Sequence, residues 1–438
     1  MTTAAVFVPA KGSSERIPSK NLQLLDGKPL FLHTLEKLLA IDGIDVFLDT
    51  ESEEIIYIAS YLDNLKILKR KPTLASNATD GNKLFLNEVK SCDHSIICQH
   101  LCTSPFIESE TILQAINAIG KPSPCGKSYD SSLLVREEKQ YIWRNGLPSY
   151  DISNIPNSID LPSTTIETMG LYAVSRQAAI STQRRIGNVP ALLKASPLEA
   201  TDVNWPEDFE VAQLIAAGKR EKQRQLLDNM ALILSSALLS DLLDDLGYKN
   251  QIIKGLGHCS VDRAQLLGWA KTLKLRRIDI DDDFRQIYDA LNHYKTLVPG
   301  DVICVENEEA EYAYFGELNA NMAIRQGVKG VIVGGKTRDR SDVQRTGLPV
   351  FSSGFTCQDV RGRAVMHSMN QNIVVNGVYI SPGDMIFADN EGVAVIPKKL
   401  ITEVFRHIND RFKNERNIVS DIASGVTVSD LLRNRGNF

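Results

Sequence analysis

The sequence predicts an α/β fold divided between two domains. In the first half, short apolar runs alternate with segments of helical spacing, as expected when helices connect the strands of a mostly parallel sheet. The same alternation begins again after about residue 226, beyond the charged stretch 219–224. A chain of 438 residues also exceeds the size at which one hydrophobic core stops growing. We therefore expect two domains, residues 1–225 and residues 226–438.

Composition and charge limit the classes of function. The net charge of −5 argues against a nucleic-acid partner, because non-specific nucleic-acid binding requires a basic face. No apolar run is long enough to span a bilayer, and the first residues lack the pattern of a signal peptide. We expect a cytoplasmic protein without a membrane partner, and the sequon Asn77-Ala78-Thr79 is then incidental. The seven cysteines include no Cys-x-x-Cys pair, so we expect neither a disulfide framework nor a zinc site.

Periodicity predicts the elements of the first half. Leucines at 30, 32, 35, 38 and 39 have helical spacing, which predicts a helix over 29–40. Pro206 suits the first turn of a helix, and the acidic residues after it favour the positive end of the helix dipole. The remaining predicted elements are strands over 4–8, 45–48, 66–68, 95–98 and 171–174 and a helix over 52–62.

The second half is predicted in the same way. Residues 230–246 have helical spacing and are followed by Gly247, a residue typical of helix C-termini. A helix over 317–326 is closed by Gly327, and an amphipathic helix covers 400–414. The predicted strands are 271–277, 302–305, 328–333, 349–351, 373–380 and 385–396.

The segment from Val8 to Asn21 leaves the carboxyl end of the first strand, the edge where open α/β sheets bind ligands. Its small residues let backbone N–H groups approach phosphate oxygens, and its cations can offset the charge of a triphosphate. These residues are Gly12, Ser13 and Ser14, and Lys11, Arg16 and Lys20. The residues alone fit two interpretations, a phosphate-binding loop that is not a Walker motif and a surface loop with ordinary charges.

Five motifs in order give the first half a resemblance to acylneuraminate and related CMP-sugar synthetases. The first motif is segment 8–21 followed by Gly27-Lys28-Pro29-Leu30, which resembles the family's signature IPARGGSKRIPxKN followed by GKPL. Segments 49–55, 103–105, 167–172 and 199–208 resemble STDSEEI, TSP, E-N-G-x-Y and E-s-i-D-I-D-t-x-e-D. The resemblance implies a nucleotide-diphospho-sugar transferase-like (Rossmann-like) mixed sheet with helices on both faces.

The resemblance also implies a reaction. The 2-hydroxyl of a 3-deoxy-ulosonic, sialic-acid-like sugar attacks the α-phosphorus of CTP and releases pyrophosphate, in the synthesis of surface polysaccharide. Such chemistry needs positioning, cations and Mg²⁺ more than covalent help. Lys11 and Lys20 are implied as the catalytic contacts of the triphosphate, Asn21 as the residue that orients the nucleotide, and Asp202 with Asn204 as metal ligands. The other implied contacts are Ala10, Gly12, Ser13, Ser14, Arg16 and Thr103 for the nucleotide and Ser104, Glu167 and Tyr172 for the sugar.

The first half departs from this family at three places. Glu15 stands where the family has Lys, and Asn204 replaces the second Asp of the metal-binding D-x-D. An amide oxygen is a weaker Mg²⁺ ligand than a carboxylate. Segment 100–107 lacks the Gln and Arg of the family's L-Q-P-T-S-P-L-R. The departures predict an unusual substrate or a weakened activity.

Arg338 and Asp339 follow a buried strand of the second half and can both project into a pocket at its end. Arg recognises carboxylates in a bidentate manner, and Asp is a metal ligand or base. A helix that starts at Glu317 can present backbone N–H groups to the same anion. The other interpretation is a surface salt bridge in a turn.

Residues from about 228 to 400 resemble the RraA-like family, which includes 4-hydroxy-4-methyl-2-oxoglutarate aldolases and regulators of ribonuclease activity. The motifs that carry the resemblance are segments 241–247, 268–272 and 299–302, similar to D-A-L-d-x-x-G, G-x-A-x-T and P-G-D-V. It implies a β/α swivelling fold, commonly trimeric. It further implies that Arg338 binds a pyruvyl carboxylate, Asp339 holds Mg²⁺ or Mn²⁺, Glu317 assists proton transfer and Leu318 contacts the substrate.

Three hypotheses remain open from the sequence. The chain is a transferase that is also an aldolase or decarboxylase of a pyruvate-type 2-keto acid, or a transferase with an oligomerising RraA-like domain. The third hypothesis is a regulatory binding protein with a degenerate transferase domain. Because the two families tend to dimerise and to trimerise, we expect a homo-oligomer, and a hexamer satisfies both symmetries.

Overall fold

The computed structural model describes residues 4–76, 79–262 and 264–435, so Asn77 and Ala78 of the sequon lie outside the described residues. The chain divides into two compact units, Met1–Gly218 and Lys219–Phe438. No single helix in the described ranges is both long and apolar enough to cross a membrane. The helices Pro206–Ala231 and Ser236–Asp245, which meet at a bend of 98°, satisfy those criteria only as a pair.

The first unit has eleven described strands and six described helices, the last of which continues past Gly218. The strands are β1 (Ala4–Pro9), β2 (Leu24–Leu25), β3 (Lys28–Pro29), β4 (Ile44–Thr50), β5 (Lys66–Lys69), β6 (Ile96–His100), β7 (Ser131–Glu138), β8 (Trp143–Arg144), β9 (Leu147–Pro148), β10 (Thr164–Ser175) and β11 (Pro190–Lys194). The helices are α1 (Leu30–Leu39), α2 (Glu53–Ile58), α3 (Gly81–Lys90), α4 (Ser109–Ala118), α5 (Arg176–Thr182) and α6 (Pro206–Ala231). Short 3₁₀ turns cover Lys20–Leu22, Ala59–Tyr61, Pro72–Ala75 and Ser158–Asp160.

Seven of these strands form one mixed sheet in the order β11-β7-β10-β6-β1-β4-β5. β1 runs parallel to both β4 and β6, whereas β10 is antiparallel to β6 and β7. Side chains of β1 alternate between two cores, as strand geometry requires. Val6 packs with Phe31 of α1 on one face, and Phe7 packs with Phe85 of α3 on the other. The predicted mixed sheet with helices on both faces is confirmed.

The second unit has thirteen described strands. They are β12 (Ile252–Ile253), β13 (His258–Cys259), β14 (Leu266–Arg277), β15 (Asp301–Asn307), β16 (Gly330–Gly334), β17 (Lys336–Thr337), β18 (Val350–Ser352), β19 (Gly354–Phe355), β20 (Ala364–Met369), β21 (Ile373–Val375), β22 (Val378–Ile380), β23 (Met385–Ala388) and β24 (Val393–Ile396). Its helices are α7 (Ser236–Asp245), α8 (Glu317–Arg325), α9 (Arg340–Thr346), α10 (Ile401–Ala423) and α11 (Val428–Arg435), with 3₁₀ segments over Phe284–Thr296 and Lys398–Leu400.

The main sheet of the second unit has nine strands. Eight follow the order β12-β24-β23-β14-β15-β16-β18-β13, and β20 also pairs with β14. β14, β15, β16 and β18 are parallel, so their carboxyl ends lie at one edge. Leu239 of α7 and Val404 of α10 pack on one part of this sheet, and Ala320 of α8 packs on another. This mixed α/β arrangement is the fold class predicted for the second half.

Three predicted elements of the second half are each divided in two. The helix expected over 230–246 stops at Ala231 and restarts as α7, because Ser235 has extended backbone and its side chain accepts the N–H of Leu238. The strands expected over 373–380 and 385–396 are hairpins. Asn376 and Gly377 both have positive φ, the geometry of a tight two-residue turn.

Candidate functional site

The loop predicted to bind phosphate leaves the carboxyl end of β1 and rests on the turn between β4 and α2. The N–H of Ala10 donates to the Asp49 carbonyl over 2.9 Å, and the N–H of Gly12 donates to Glu51 Oε1 over 2.8 Å. A Cβ at Gly12 would lie 2.9 Å from Cβ of Ser52. Position 12 therefore has no room for a side chain, and the loop is held close to its support.

Asn21 anchors the loop from inside. It is buried, its Nδ2 donates to the Lys11 carbonyl over 2.8 Å, and its Oδ1 accepts the thiol of Cys102 over 3.2 Å. Both ends of the amide are thus bonded to protein groups, and the side chain holds the backbone beside Lys11. Ser13 and Ser14 lie further along the loop, the first exposed and the second half-buried.

Two cations of the loop contact segment 202–204, which carries the predicted metal ligands Asp202 and Asn204. Lys20 Nζ donates to the Val203 carbonyl over 2.8 Å, and Arg16 Nη1 donates to Asn204 Oδ1 over 3.2 Å. Asn204 Nδ2 in turn donates to Asp202 Oδ2. Burial is the main cause that lowers the pKa of Lys20, and the neighbouring cations lower it further, while Asp202 opposes the shift. The structure therefore brings together residues that lie more than 180 positions apart in the sequence.

The Thr103-Ser104 segment joins the same cluster. The N–H of Val203 donates to the Thr103 carbonyl over 2.8 Å, and the Ser104 hydroxyl is 3.5 Å from Asp202 Oδ1. Gly170 packs directly on this segment, since a Cβ there would lie 2.5 Å from Ser104 Oγ. Strand β10, which carries the predicted sugar contacts Glu167 and Tyr172, therefore packs against the loop that carries Ser104.

Glu167 and Tyr172, both predicted sugar contacts, bond to each other. The buried Tyr172 hydroxyl donates to Glu167 Oε1, and Arg185 Nη2 donates to the same hydroxyl over 3.1 Å. The Arg185 guanidinium lies 3.9 Å from the ring centroid of Tyr172. Burial and the Glu167 contact raise the pKa of Tyr172 well above its ordinary value. Arg185 was not predicted, because no motif of the sequence marks it.

Arg338, Asp339 and Glu317 also come together, in the second unit. Asp339 follows β17, has a positive φ of 55°, and accepts the N–H of Glu317 at the start of α8 over 3.2 Å. Gly316 permits this approach, since a Cβ there would lie 2.5 Å from Asp339 Oδ2. Arg338 Nη1 forms a 2.6 Å ion pair with Asp359 Oδ2, a residue that the sequence did not single out.

Asp359 is itself held in place. Its Oδ1 accepts the backbone N–H of Arg361 over 2.6 Å, and the backbone N–H of Arg338 donates to the Phe315 carbonyl over 3.0 Å. Leu318, the predicted substrate contact, is 75% exposed in the first turn of α8. The cluster is therefore partly open to solvent, and backbone hydrogen bonds hold Arg338 and Asp359 in place.

Two protein families match the chain, one in each unit. Residues 5–188 match the family described as Cytidylyltransferase, and residues 236–395 match the family described as Aldolase/RraA. Together they cover most of the described sequence. The chain joins a cytidylyltransferase-family domain to an RraA-like domain.

Individual relatives agree with this division. "Protein DlpA" of Legionella pneumophila is 27% identical over 331 residues, which are 75% of this chain and 47% of that protein. "Putative 4-hydroxy-4-methyl-2-oxoglutarate aldolase" of Halalkalibacterium halodurans is 31% identical over 161 residues, 36% of this chain and 71% of that protein. "N-acylneuraminate cytidylyltransferase B" of Danio rerio is 25% identical over 219 residues, 48% of this chain and 50% of that protein. The chain thus spans about half the length of DlpA and of the Danio rerio protein.

The predicted metal ligands differ in how well their surroundings suit a cation. In the part of the chain that the structure describes, no group of three or more His, Cys, Asp or Glu side chains is arranged to hold a metal ion. Asp202 presents a carboxylate that suits Mg²⁺ shared with substrate phosphates. The Asn204 oxygen faces the Arg16 guanidinium instead, so the amide does not fit a metal ligand in this arrangement. Asp339 Oδ2 accepts a backbone N–H, and its carboxylate still suits a cation bound partly through water.

The RraA-like domain also contains a cavity of about 330 Å³ that none of the predicted residues line. Its wall includes Arg340, whose guanidinium lies 4.9 Å from the ring centroid of Phe355. Asp389, also on the wall, is occupied in holding Ser236 at the start of α7.

Proposed function

We propose that the first domain transfers a cytidylyl group from CTP to a 3-deoxy-ulosonic, sialic-acid-like sugar for surface polysaccharide synthesis. The observation that carries the proposal is the meeting of Lys20 and Arg16 with the Asp202–Asn204 segment at the carboxyl end of β1. That edge of the sheet is where α/β folds bind nucleotides. Membership of the cytidylyltransferase family and the similarity to proteins named N-acylneuraminate cytidylyltransferase support the same chemistry.

The proposed step forms one P–O bond and breaks another. The sugar 2-hydroxyl oxygen attacks the α-phosphorus, the bond to the β-phosphate breaks, pyrophosphate leaves, and the hydroxyl proton is lost to solvent. Lys11, Lys20 and Arg16 offset the negative charge of the triphosphate and of the leaving pyrophosphate. Asp202 would hold Mg²⁺, which spreads that charge further when bound.

The test is pyrophosphate release from CTP with a panel of ulosonic acids, using the full chain. We expect Lys20→Met to lower kcat/KM on the order of a hundredfold, because a partly buried cation that offsets the triphosphate charge is lost. Lys222→Met, on the exposed surface of α6, is the matched control and is expected to have no effect. Absence of pyrophosphate release with every sugar would contradict the proposal.

For the second domain we propose metal-dependent aldol cleavage or decarboxylation of a pyruvate-type 2-keto acid. The open cluster of Arg338, Asp339 and Glu317 supports this function. Arg338 would bind the substrate carboxylate, and Asp339 would hold Mg²⁺ or Mn²⁺, which supplies Lewis-acid stabilisation when bound. Asp359 pairs with Nη1 of Arg338 and thereby orients the guanidinium, and Nε lies 3.6 Å from Asp339 Oδ2. Nη2 is then the nitrogen that would meet the ligand.

Oxaloacetate decarboxylation with added Mg²⁺ or Mn²⁺ tests this second activity. We expect Arg338→Ala to raise KM for oxaloacetate at least tenfold, since a charge-assisted carboxylate contact is removed. Asp359→Asn should raise KM less, because the amide keeps the shape and loses only the charge. Arg406→Ala, an exposed change on α10, serves as the control. Decarboxylation that survives Arg338→Ala unchanged would favour the oligomerising RraA-like domain or the regulatory binding protein.

We further propose a cytoplasmic homo-oligomer, a dimer, trimer or hexamer. Exposed apolar side chains on and after the β8–β9 hairpin support association, among them Trp143, Leu147 and Ile159 at 59%, 70% and 73% exposure. Such side chains are costly to leave in water in a group. Light scattering of the full chain gives the assembly, and a monomer at micromolar concentration would contradict it.

A further inference from the structure

Four buried polar side chains lie directly beneath the loop of the cytidylyltransferase domain. They are Asp49 of β4, Arg70 directly after β5, Glu88 of α3 and Gln99 of β6. Arg70 Nε donates to Asp49 Oδ1 over 2.8 Å, and Gln99 Nε2 donates to Glu88 Oε2 over 2.9 Å. Asp49 and Glu88 are each 0% exposed. Of these four residues, only Asp49 lies in a segment that resembles a family motif.

The network holds two carboxyl groups and one guanidinium. The two carboxyl groups interact side chain to side chain. Among the described contacts, Asp49 Oδ2 and Glu88 Oε1 receive no donor. Two ionised carboxylates buried beside one cation carry a large cost of desolvation and mutual repulsion. A single proton between them satisfies both oxygens and matches the remaining charge to Arg70.

We propose that Asp49 and Glu88 share one proton at neutral pH and that this protonated pair positions the nucleotide loop. The positioning role rests on the proposed transferase function, whereas the shared proton does not. The STDSEEI motif of the resembling family has Ser where this chain has Asp49, so the motif itself does not supply the first carboxyl group of the pair.

The link to the loop runs through the end of β4. The Asp49 carbonyl accepts the N–H of Ala10 and an N–H of Arg70, and the backbone N–H of Arg70 donates to the Thr50 carbonyl over 3.0 Å. Glu51, two residues along, accepts the N–H of Gly12. A second buried negative charge at Asp49 and Glu88 would therefore disturb the same strand end that supports the loop.

The charged and titratable groups around the pair determine the direction of its response to pH. Glu88 faces Asp49, Arg70 and Gln99 and lies near the buried Cys98, while Asp49 also faces Glu51. Burial, and next the charge of Asp49, raise the pKa of Glu88 well above its usual range. Burial also raises the pKa of Asp49, and Arg70 opposes that shift. Rising pH therefore removes the shared proton, and the loop loses its support on the alkaline side.

Infrared difference spectroscopy of the full chain tests the shared proton directly. A protonated buried carboxyl gives a carbonyl stretch that an ionised carboxylate lacks. We expect this band at neutral pH in the wild type, its loss in Glu88→Gln, and its persistence at a shifted frequency in Asp49→Asn. Glu53→Gln, whose side chain is 72% exposed on α2, is the control and should leave the band unchanged.

Kinetics test the positioning role. In the wild type, KM for CTP should rise on the order of tenfold between neutral and alkaline pH while kcat changes less, and Glu88→Gln should abolish this rise. A merely structural role would lower the melting temperature without this separation of KM from kcat. The absence of the carbonyl band in the wild type, or its survival in a folded Glu88→Gln protein, would overturn the proposal. A chain that shows the band but releases no pyrophosphate would refute the transferase function and leave the shared proton standing.

Discussion

At the scale of single residues, the nucleotide loop is held by contacts that leave no space for larger side chains. Gly12 abuts Ser52, and its N–H is bonded to Glu51. Asn21 fills the space behind Lys11 with an amide bonded at both ends. The loop is therefore preorganised, which lowers the conformational cost of holding a triphosphate.

We expect Gly12→Ala to weaken CTP binding. The new Cβ would lie 2.9 Å from Ser52 Cβ and 3.1 Å from its Oγ, so the loop or the start of α2 must move. Overpacking of this kind costs about 1–3 kcal/mol. The measurement is KM for CTP in pyrophosphate release, together with the melting temperature.

A second glycine provides the control for that substitution. A Cβ at Gly218, inside α6, would meet nothing within 4 Å. Because Ala is a better helix former than Gly by about 1 kcal/mol, Gly218→Ala should leave KM unchanged and raise stability slightly. An equal effect of both substitutions on KM would show that Gly12 has no special packing role.

At the scale of elements, the start of α7 shows how a local polar contact divides a continuous apolar pattern. The run of residues 230–246 has helical spacing throughout, yet the helix breaks before Ser235. The Ser235 side chain accepts the N–H of Leu238, and Asp389 accepts both the N–H and the hydroxyl of Ser236. The start of this helix is thus held both by its own N-cap, Ser235, and by an aspartate more than 150 residues away.

Ser235→Ala should destabilise the RraA-like domain by about 1 kcal/mol, the usual cost of losing a helix N-cap. Denaturant unfolding followed by circular dichroism measures the change. Leu232→Ala, in the same break and 76% exposed, is expected to change stability little. If the two variants unfold alike, the cap does not fix the helix start.

At the scale of the whole molecule, the half-buried His33 and the buried His100 and His293 make the free energy of unfolding depend on pH in acid. Burial lowers the pKa of His33 to about 4, of His100 to about 3 and of His293 to about 3. Each folded pKa lies below the ordinary value of about 6.5, so the unfolded chain binds more protons below that pH. The stability that the three neutral side chains contribute is fully present above about pH 6.5. It is lost as pH falls towards the folded pKa values of about 4 and 3.

We expect His33→Gln to flatten part of this acid dependence. The amide can still donate to the Leu25 carbonyl, which His33 Nε2 contacts over 2.7 Å, but it takes up no proton on unfolding. Free energies of unfolding at neutral pH and at about pH 5 give the slope. His407→Gln, an exposed change on α10, should preserve the wild-type slope. Equal slopes in all three proteins would contradict the assignment.

The sequence by itself determined the fold class, the order of most elements and both family memberships, because periodic burial and short motifs are local properties of a chain. It also pointed to Lys20, Asp202 and Arg338 as members of two clusters, and the contacts that the structure adds explain how each is held. The domain limits and the roles of these residues stay predictions.

Only the tertiary structure decided which distant groups share an interior or a contact. The sequence analysis singled out neither Glu88 nor Asp359, because no motif marks them. The fold buries Glu88 against Asp49 and pairs Asp359 with Arg338. Charge pairing and desolvation depend on the distance between groups in space. The local sequence pattern around a residue does not show which residues from distant segments will lie beside it.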